Sequence, residues 1–172
     1  VYVSTDAGVS WHRSLDLIDA QVYALRPATL DVGTVYAGTA AGLYVSRDAG
    51  TSWSAVGVAL QGMSVRAVYL SKVDPNYLVV GTYGDGVLRS FDGGTTWSEA
   101  RAGLRPPQVR SLTVDDVNPD VMYAATSTGG FFRTKDGGTN WLPINLGLPS
   151  LSSRFVLLDP DNRNRLLGAG TG

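Results

Sequence analysis

The stretch Ser90-Phe-Asp-Gly-Gly-Thr-Thr-Trp97 has three near-copies: STDAGVSW at Ser4–Trp11, SRDAGTSW at Ser46–Trp53 and TKDGGTNW at Thr134–Trp141. The shared frame is Ser/Thr-x-Asp-x-Gly-x-x-Trp. Its aspartates, Asp6, Asp48, Asp92 and Asp136, are spaced by 42, 44 and 44 residues. A fixed period of this size marks a repeat architecture in which each unit is one supersecondary element. Cut by this ruler, the 172 residues divide into units 1–42, 43–86, 87–130 and 131–172, with nothing left over.

Each unit reads as four short strands. After Ser64 come SVRAVYL, a turn at Lys72–Asn76, YLVVGT, the turn Gly84-Asp85-Gly86, VLRS, the Asp phrase and TTWSEA. Runs of four to eight β-formers bounded by Gly, Asp, Asn and Pro, with no helical period, predict antiparallel strands. Four such strands per period of this length predict an all-β fold, a β-propeller of four-stranded blades.

The phase of the chain is offset. It begins with the third and fourth strands of a blade, VYVS and VSWHR, and ends with the first and second, RFVLLD and RLLGAGTG. Joined, LLGAGTG and VYVSTDAGVSW match VYAGTAAGLYVSRDAGTSW. Open strand edges are a liability, so closure is expected in one of three forms. These are a four-bladed ring, a two-chain ring of eight blades, or a segment of a larger propeller. The start at Val1 rather than Met favours the segment, with the two-chain ring second.

The Asp phrase falls on the hairpin between third and fourth strands. The carboxylate accepts backbone N–H groups just downstream, and Gly8, Gly50, Gly94 and Gly138 supply positive φ. Trp11, Trp53, Trp97 and Trp141 place a ring on the following strand to lock the hairpin. A catalytic group is needed once, not once per repeat, so these residues are expected to be structural.

The phrase resembles the Asp-box, or BNR, repeat of bacterial sialidases, sortilin-type receptors, xyloglucan-cleaving glycosidases and the photosystem II stability/assembly factor. The flanking DPNYLVVGTYGDGVLRSFDGGTTW and NPDVMYAATSTGGFFRTKDGGTNW extend the likeness along the chain. The resemblance implies a propeller and an extracytoplasmic setting (periplasmic, secreted or lumenal). It implies no single function, because enzymes and binding proteins share the repeat.

Aligned inner strands QVYALRP, SVRAVYL, QVRSLTV and SSRFVLL put Tyr23, Arg66, Arg110 and Arg154 in one column. Leu25, Val68, Leu112 and Val156 follow, then Pro27, Leu70, Val114 and Leu158, all expected on the column's face. This sets an arginine arc with one aromatic member at a channel rim, the stems resting on apolar surface, suited to anions or an acidic protein. The competing expectation is that each arginine pairs with a neighbouring aspartate or carbonyl.

Enzyme readings are weaker. The resemblance to sialidases would require a Tyr–Glu pair and the family's Arg-Ile-Pro opening, which is absent; the only Glu is Glu99, on a fourth strand. A xyloglucanase-like site needs two opposed carboxylates. Asp74, Asp115 and Asp159 are repeat-equivalent, which favours turns, as for their neighbours Asp116, Asp120 and Asp161. His12, the only histidine, is expected at the surface. Asp159–Asn164 lacks the later Gly and Glu of a calcium loop. Tyr36, Tyr44, Tyr83 and Tyr123 could join a binding face, though strand aromatics are more often found in core or inter-blade packing.

Charge is balanced, 14 Lys and Arg against 15 Asp and Glu, which points away from nucleic acid. Cysteine is absent, and no apolar run is long enough to span a membrane. The expected function is a binding or assembly module without cofactor or metal. It docks a protein, or a glycan, on the face with Tyr23, Arg66, Arg110 and Arg154, and the photosystem II assembly factor is the closest functional analogy that the resemblance offers. A glycoside hydrolase fragment is the runner-up, and a structural subunit of a larger extracytoplasmic complex is third.

Overall fold

The computed structural model describes residues 1–14, 16–17 and 21–171. Three complete blades run inner strand to outer. They are β3 (Val22–Pro27) to β6 (Ser54–Ala55) through β4 (Val35–Thr39) and β5 (Gly42–Ser46); β7 (Val65–Leu70) to β10 (Ser98–Glu99) through β8 (Leu78–Thr82) and β9 (Val87–Ser90); and β11 (Val109–Val114) to β14 (Leu142–Pro143) through β12 (Met122–Thr126) and β13 (Gly130–Thr134). Two half-blades flank them: the outer pair β1 (Tyr2–Val3) and β2 (His12–Arg13), and the inner pair β15 (Ser153–Leu158) and β16 (Leu166–Gly170). All pairings are antiparallel. Among the described residues the two half-blades form separate sheets, so the ring is not closed within the chain.

The core lies between blades. Tyr36, Leu43 and Val45 of the first complete blade pack on Val65, Val68, Leu78 and Val80 of the second. Ala67, Val79 and Val87 of the second pack on Val109, Leu112, Met122 and Ala124 of the third. Tyr123 and Ala125 pack on Val156 and Leu158 of the last half-blade. The second strands of the second and third complete blades are buried on both faces, as their continuous apolar runs require, whereas β16 of the last half-blade is mostly exposed. Each fully buried Val or Leu contributes about 1.5–3 kcal/mol of transfer free energy.

The Asp phrases form the same turn at each site. At the second, Ser46 Oγ donates to Asp48 Oδ1 (2.7 Å) and accepts the Gly50 N–H (2.8 Å). Asp48 Oδ1 accepts the Ser52 N–H (2.9 Å), and Oδ2 accepts its hydroxyl. The hydroxyl or amide four residues on, then the backbone N–H there, hold the carboxyls of Asp6, Asp48, Asp92 and Asp136 down at about 2. The turn consumes the residues before the fourth strands, which shrink to two residues each.

The tryptophans do more than lock their own hairpins. Two of them reach the preceding blade through hydrogen bonds. The Trp141 indole N–H donates to Ala100 O (2.7 Å) and its backbone N–H to Ala102 O (2.8 Å). The Trp53 indole N–H donates to Ser14 Oγ (2.7 Å) and Gly50 O (3.1 Å). Gly138 is needed here twice over: its φ is +89°, and a Cβ would stand 2.6 Å from that of Ala100. The Asp box is therefore both a hairpin turn and a joint between blades.

Candidate functional site

Every inner strand carries a register break at one position. Pairing skips from Val22 to Ala24, Val65 to Ala67, Val109 to Ser111 and Ser153 to Phe155. The extra residues are Tyr23, Arg66, Arg110 and Arg154, the column picked out by alignment. A bulge frees one residue from the ladder and re-aims its side chain.

This corrects the expected alternation. Arg66 does not share a face with Val68; Val65 does, and both lie in the cluster between the first two complete blades. Likewise Val109, not Arg110, lines up with Leu112 and Val114. The bulge resets the two-residue period, so the arginines stand outside the apolar face.

The rim residues meet across blades. The Arg66 guanidinium carbon lies 3.8 Å from the Tyr23 ring centre and 4.8 Å from that of Tyr83. The Arg110 guanidinium lies 5.7 Å from the same Tyr83 ring. Arg66 Nε donates to Ser64 Oγ (3.2 Å). Arg110 Nε is buried with no hydrogen-bond partner among the described residues. Arg154 is exposed.

Tyr83, of the two places open to it, stands beside the guanidinium groups of Arg66 and Arg110. Its signal is local: it alone among the repeats puts an aromatic residue directly after the second strand, where the others have Ala40, Ser127 and Thr171. Tyr36, Tyr44 and Tyr123 do pack between blades.

None of the three arginines makes an ion pair among the described residues. The pairs formed there are Lys72–Asp116 (2.6 Å), Arg101–Glu99 (2.7 Å), Arg163–Asp115 (3.4 Å) and Arg165–Asp159 (3.5 Å). Of the competing expectation, an aspartate or carbonyl for each arginine, the aspartate half does not appear among the described residues. Three cations thus stand at equivalent bulges of successive inner strands, two of them beside phenol rings and none ion-paired among the described residues.

The carboxylates collect at the opposite ends of the inner strands. There a groove of about 670 Å³ runs over Arg26, Val68, Leu112, Phe155 and Leu157 toward Asp115 and Asp159. Its acids are occupied. Asp74, Asp115 and Asp159 each accept a backbone N–H two residues on, all at 2.9 Å, the turn role that their repetition implied. Asp115 is also buried against Arg163, and Asp116 holds Lys72 and the Tyr69 hydroxyl (3.0 Å). Burial, then the bond to Asp116, pushes the Tyr69 phenol up. Asp159 ties Asp161 and Asn162 N–H groups into a turn. His12 is exposed on β2.

A sequence model of the BNR/Asp-box repeat matches residues 2–13 and 88–99. These are Asp-box blades of a β-propeller. No curated protein matches the chain in sequence. Solved propellers do match it in structure. An ancestral GH74 enzyme is 22% identical with a TM-score of 0.75, covering 93% of this chain and 23% of its own. The GH74 enzyme of Niastella koreensis is 17% identical with a TM-score of 0.74, covering 98% of this chain and 32% of its own. YCF48 bound to D1 peptide is 22% identical with a TM-score of 0.51, covering 75% of this chain and 45% of its own. The Asp-box chain thus spans less than half the length of each, and at these identities the likeness is one of fold. The fold is shared by glycoside hydrolases and by a propeller that binds a peptide.

Proposed function

We propose that this chain is a non-catalytic docking module that holds a carboxylate-bearing segment of a protein partner on the rim formed by Tyr23, Arg66, Tyr83, Arg110 and Arg154. The observation that carries this reading is the absence of a carboxylate from three arginines on neighbouring strands, among the described residues. A guanidinium fork binds a carboxylate bidentately. The rings over Arg66 hold its fork in place, which reduces the entropy lost on binding. The structural likeness to a peptide-bound propeller supports a protein partner. The Asp-box resemblance supports an extracytoplasmic setting.

A glycoside hydrolase reading draws on the likeness to GH74 enzymes and on the acidic end of the groove. Against it, Asp115, Asp116 and Asp159 are committed to turns and ion pairs, whereas hydrolysis needs one carboxyl as acid and another as base or nucleophile.

The test is titration of a glutamate-rich peptide into the parent chain and the Arg66→Ala/Arg110→Ala/Arg154→Ala variant. Saturable, salt-sensitive binding that the triple substitution removes is the expected result; equal binding by both chains would sink the reading. Turnover of xyloglucan, lost on Asp115→Asn, would instead establish the hydrolase.

A further inference from the structure

We propose that the rim reads two acidic side chains at alternate positions of one extended partner segment, Arg66 taking one carboxylate and Arg110 the other. The inference rests on the docking reading and says what the partner presents to it.

The ring of Tyr83 serves both arginines, and the backbone fixes it there. Its N–H donates to Ser64 O (2.8 Å), and Tyr83 forms an isolated antiparallel bridge with Gln108. Ser64 stands two residues before Arg66, and Gln108 two before Arg110. One tyrosine is thus tied to the same point of two neighbouring inner strands. At the equivalent places Ala40, Ser127 and Thr171 donate their N–H groups to the carbonyls of Gln21, Gln108 and Ser152. The backbone bond recurs in every unit. The ring occurs once, beside two cations.

The donors left to a ligand are the ends of two forks. Arg66 Nε is engaged with Ser64 Oγ (3.2 Å), and Arg110 Nε is buried. Each guanidinium therefore presents its terminal nitrogens, and such an end closes on the two oxygens of one carboxylate. A carboxylate held in that way by one arginine has no oxygen pair left for the other. Neither arginine has an ion-pair partner among the described residues, so neutralising both takes two carboxylates.

Spacing selects the pattern. The two guanidinium carbons lie 4.8 and 5.7 Å from the centre of one ring. This keeps the two charges within roughly 10 Å of each other, the span of a short extended segment. In such a segment residues i and i+2 point to the same side, about 7 Å apart. Residues i and i+1, or i and i+3, point to opposite sides, and i and i+4 overshoot at about 13 Å. The alternate arrangement alone brings two carboxylates to this rim without twisting the segment.

The test uses the 172-residue chain and labelled peptides of one composition. They carry Glu-Ala-Glu-Ala, Glu-Glu-Ala-Ala or Glu-Ala-Ala-Glu, so net charge is the same in each. Fluorescence anisotropy at fixed ionic strength is expected to show about tenfold tighter binding of the alternating peptide. Arg66→Ala or Arg110→Ala is expected to erase that preference and leave weak binding, alike for all three peptides. Tyr83→Ala is expected to erase it too, by releasing both forks, and Tyr83→Phe to retain it. Equal affinities for the three peptides in the parent, or a preference that survives either arginine substitution, would overturn the inference. If equal affinities are lost in Arg66→Ala/Arg110→Ala/Arg154→Ala, the docking reading stands without it; if no peptide binds saturably, both fall.

Discussion

The Arg66 guanidinium stacks on the Tyr23 ring at 3.8 Å, across the boundary between two blades. The two residues are equivalent in the repeat, one blade apart, and both are the extra residue of their bulge. In adjoining blades the repeat has thus placed a cation and the ring that steadies it. Cation–π contacts of this kind contribute about 0.5–2 kcal/mol. Tyr23→Ala is therefore expected to weaken glutamate-peptide binding several-fold, by releasing Arg66 rather than by removing a charge. Tyr23→Phe should restore it, as isothermal titration would show. Loss of binding in both variants would assign the hydroxyl, not the ring.

The Asp boxes set a low-pH limit on stability. Each carboxyl titrates at about 2 in the fold, against 3.8 for an unperturbed aspartate. A depressed folded value means that the unfolded chain binds protons first. The contribution is complete above the unfolded value and is lost as pH falls from about 4 toward about 2. Denaturation midpoints measured across that window are expected to fall steeply, and less steeply in Asp92→Asn. A flat profile would separate box protonation from folding.

Ala49 is a residue out of place. It holds φ of +57° at a box position where the third and fourth boxes have Gly93 and Gly137. Left-handed backbone costs an alanine about 1–2 kcal/mol, which glycine avoids at the expense of a more flexible unfolded chain. Ala49→Gly is expected to raise stability by up to about 1 kcal/mol in urea denaturation. A loss of stability would show that unfolded-state entropy outweighs the strain.

Trp141 joins two blades through packing and through the indole bond to Ala100 O. Trp141→Ala is expected to cost about 3–5 kcal/mol. Trp141→Phe keeps most of the packing and strands the carbonyl, a cost of about 1–3 kcal/mol. Equal losses, again by urea denaturation, would place the value in the indole hydrogen bond rather than in packing.

The blades were legible because each box prints its own period: Asp6, Asp48, Asp92 and Asp136 count the units without reference to anything else. The arginine column was legible for the same reason, since alignment needs only the repeat. Its orientation was not. A bulge at Arg66 is one residue of slippage between two strands, and the single-strand pattern VRAVYL contains no mark of which residue the partner leaves unpaired. Strand alternation therefore put Arg66 with Val68, where pairing puts Val65. The reach of Trp141 was hidden for a related reason: its partner, Ala100, belongs to another blade and contributes a backbone carbonyl, which every residue possesses.

The bulges also bear on how such a chain changes over time. Because residues 23, 66, 110 and 154 are spare to their ladders, the hydrophobic steps on either side keep their register whatever occupies those places. Each blade thus offers an interchangeable socket on a fixed mount. A tyrosine sits in one and arginines in the others, so a substitution at one of these places is expected to change the charge presented there while leaving the ladder pairing beneath it intact.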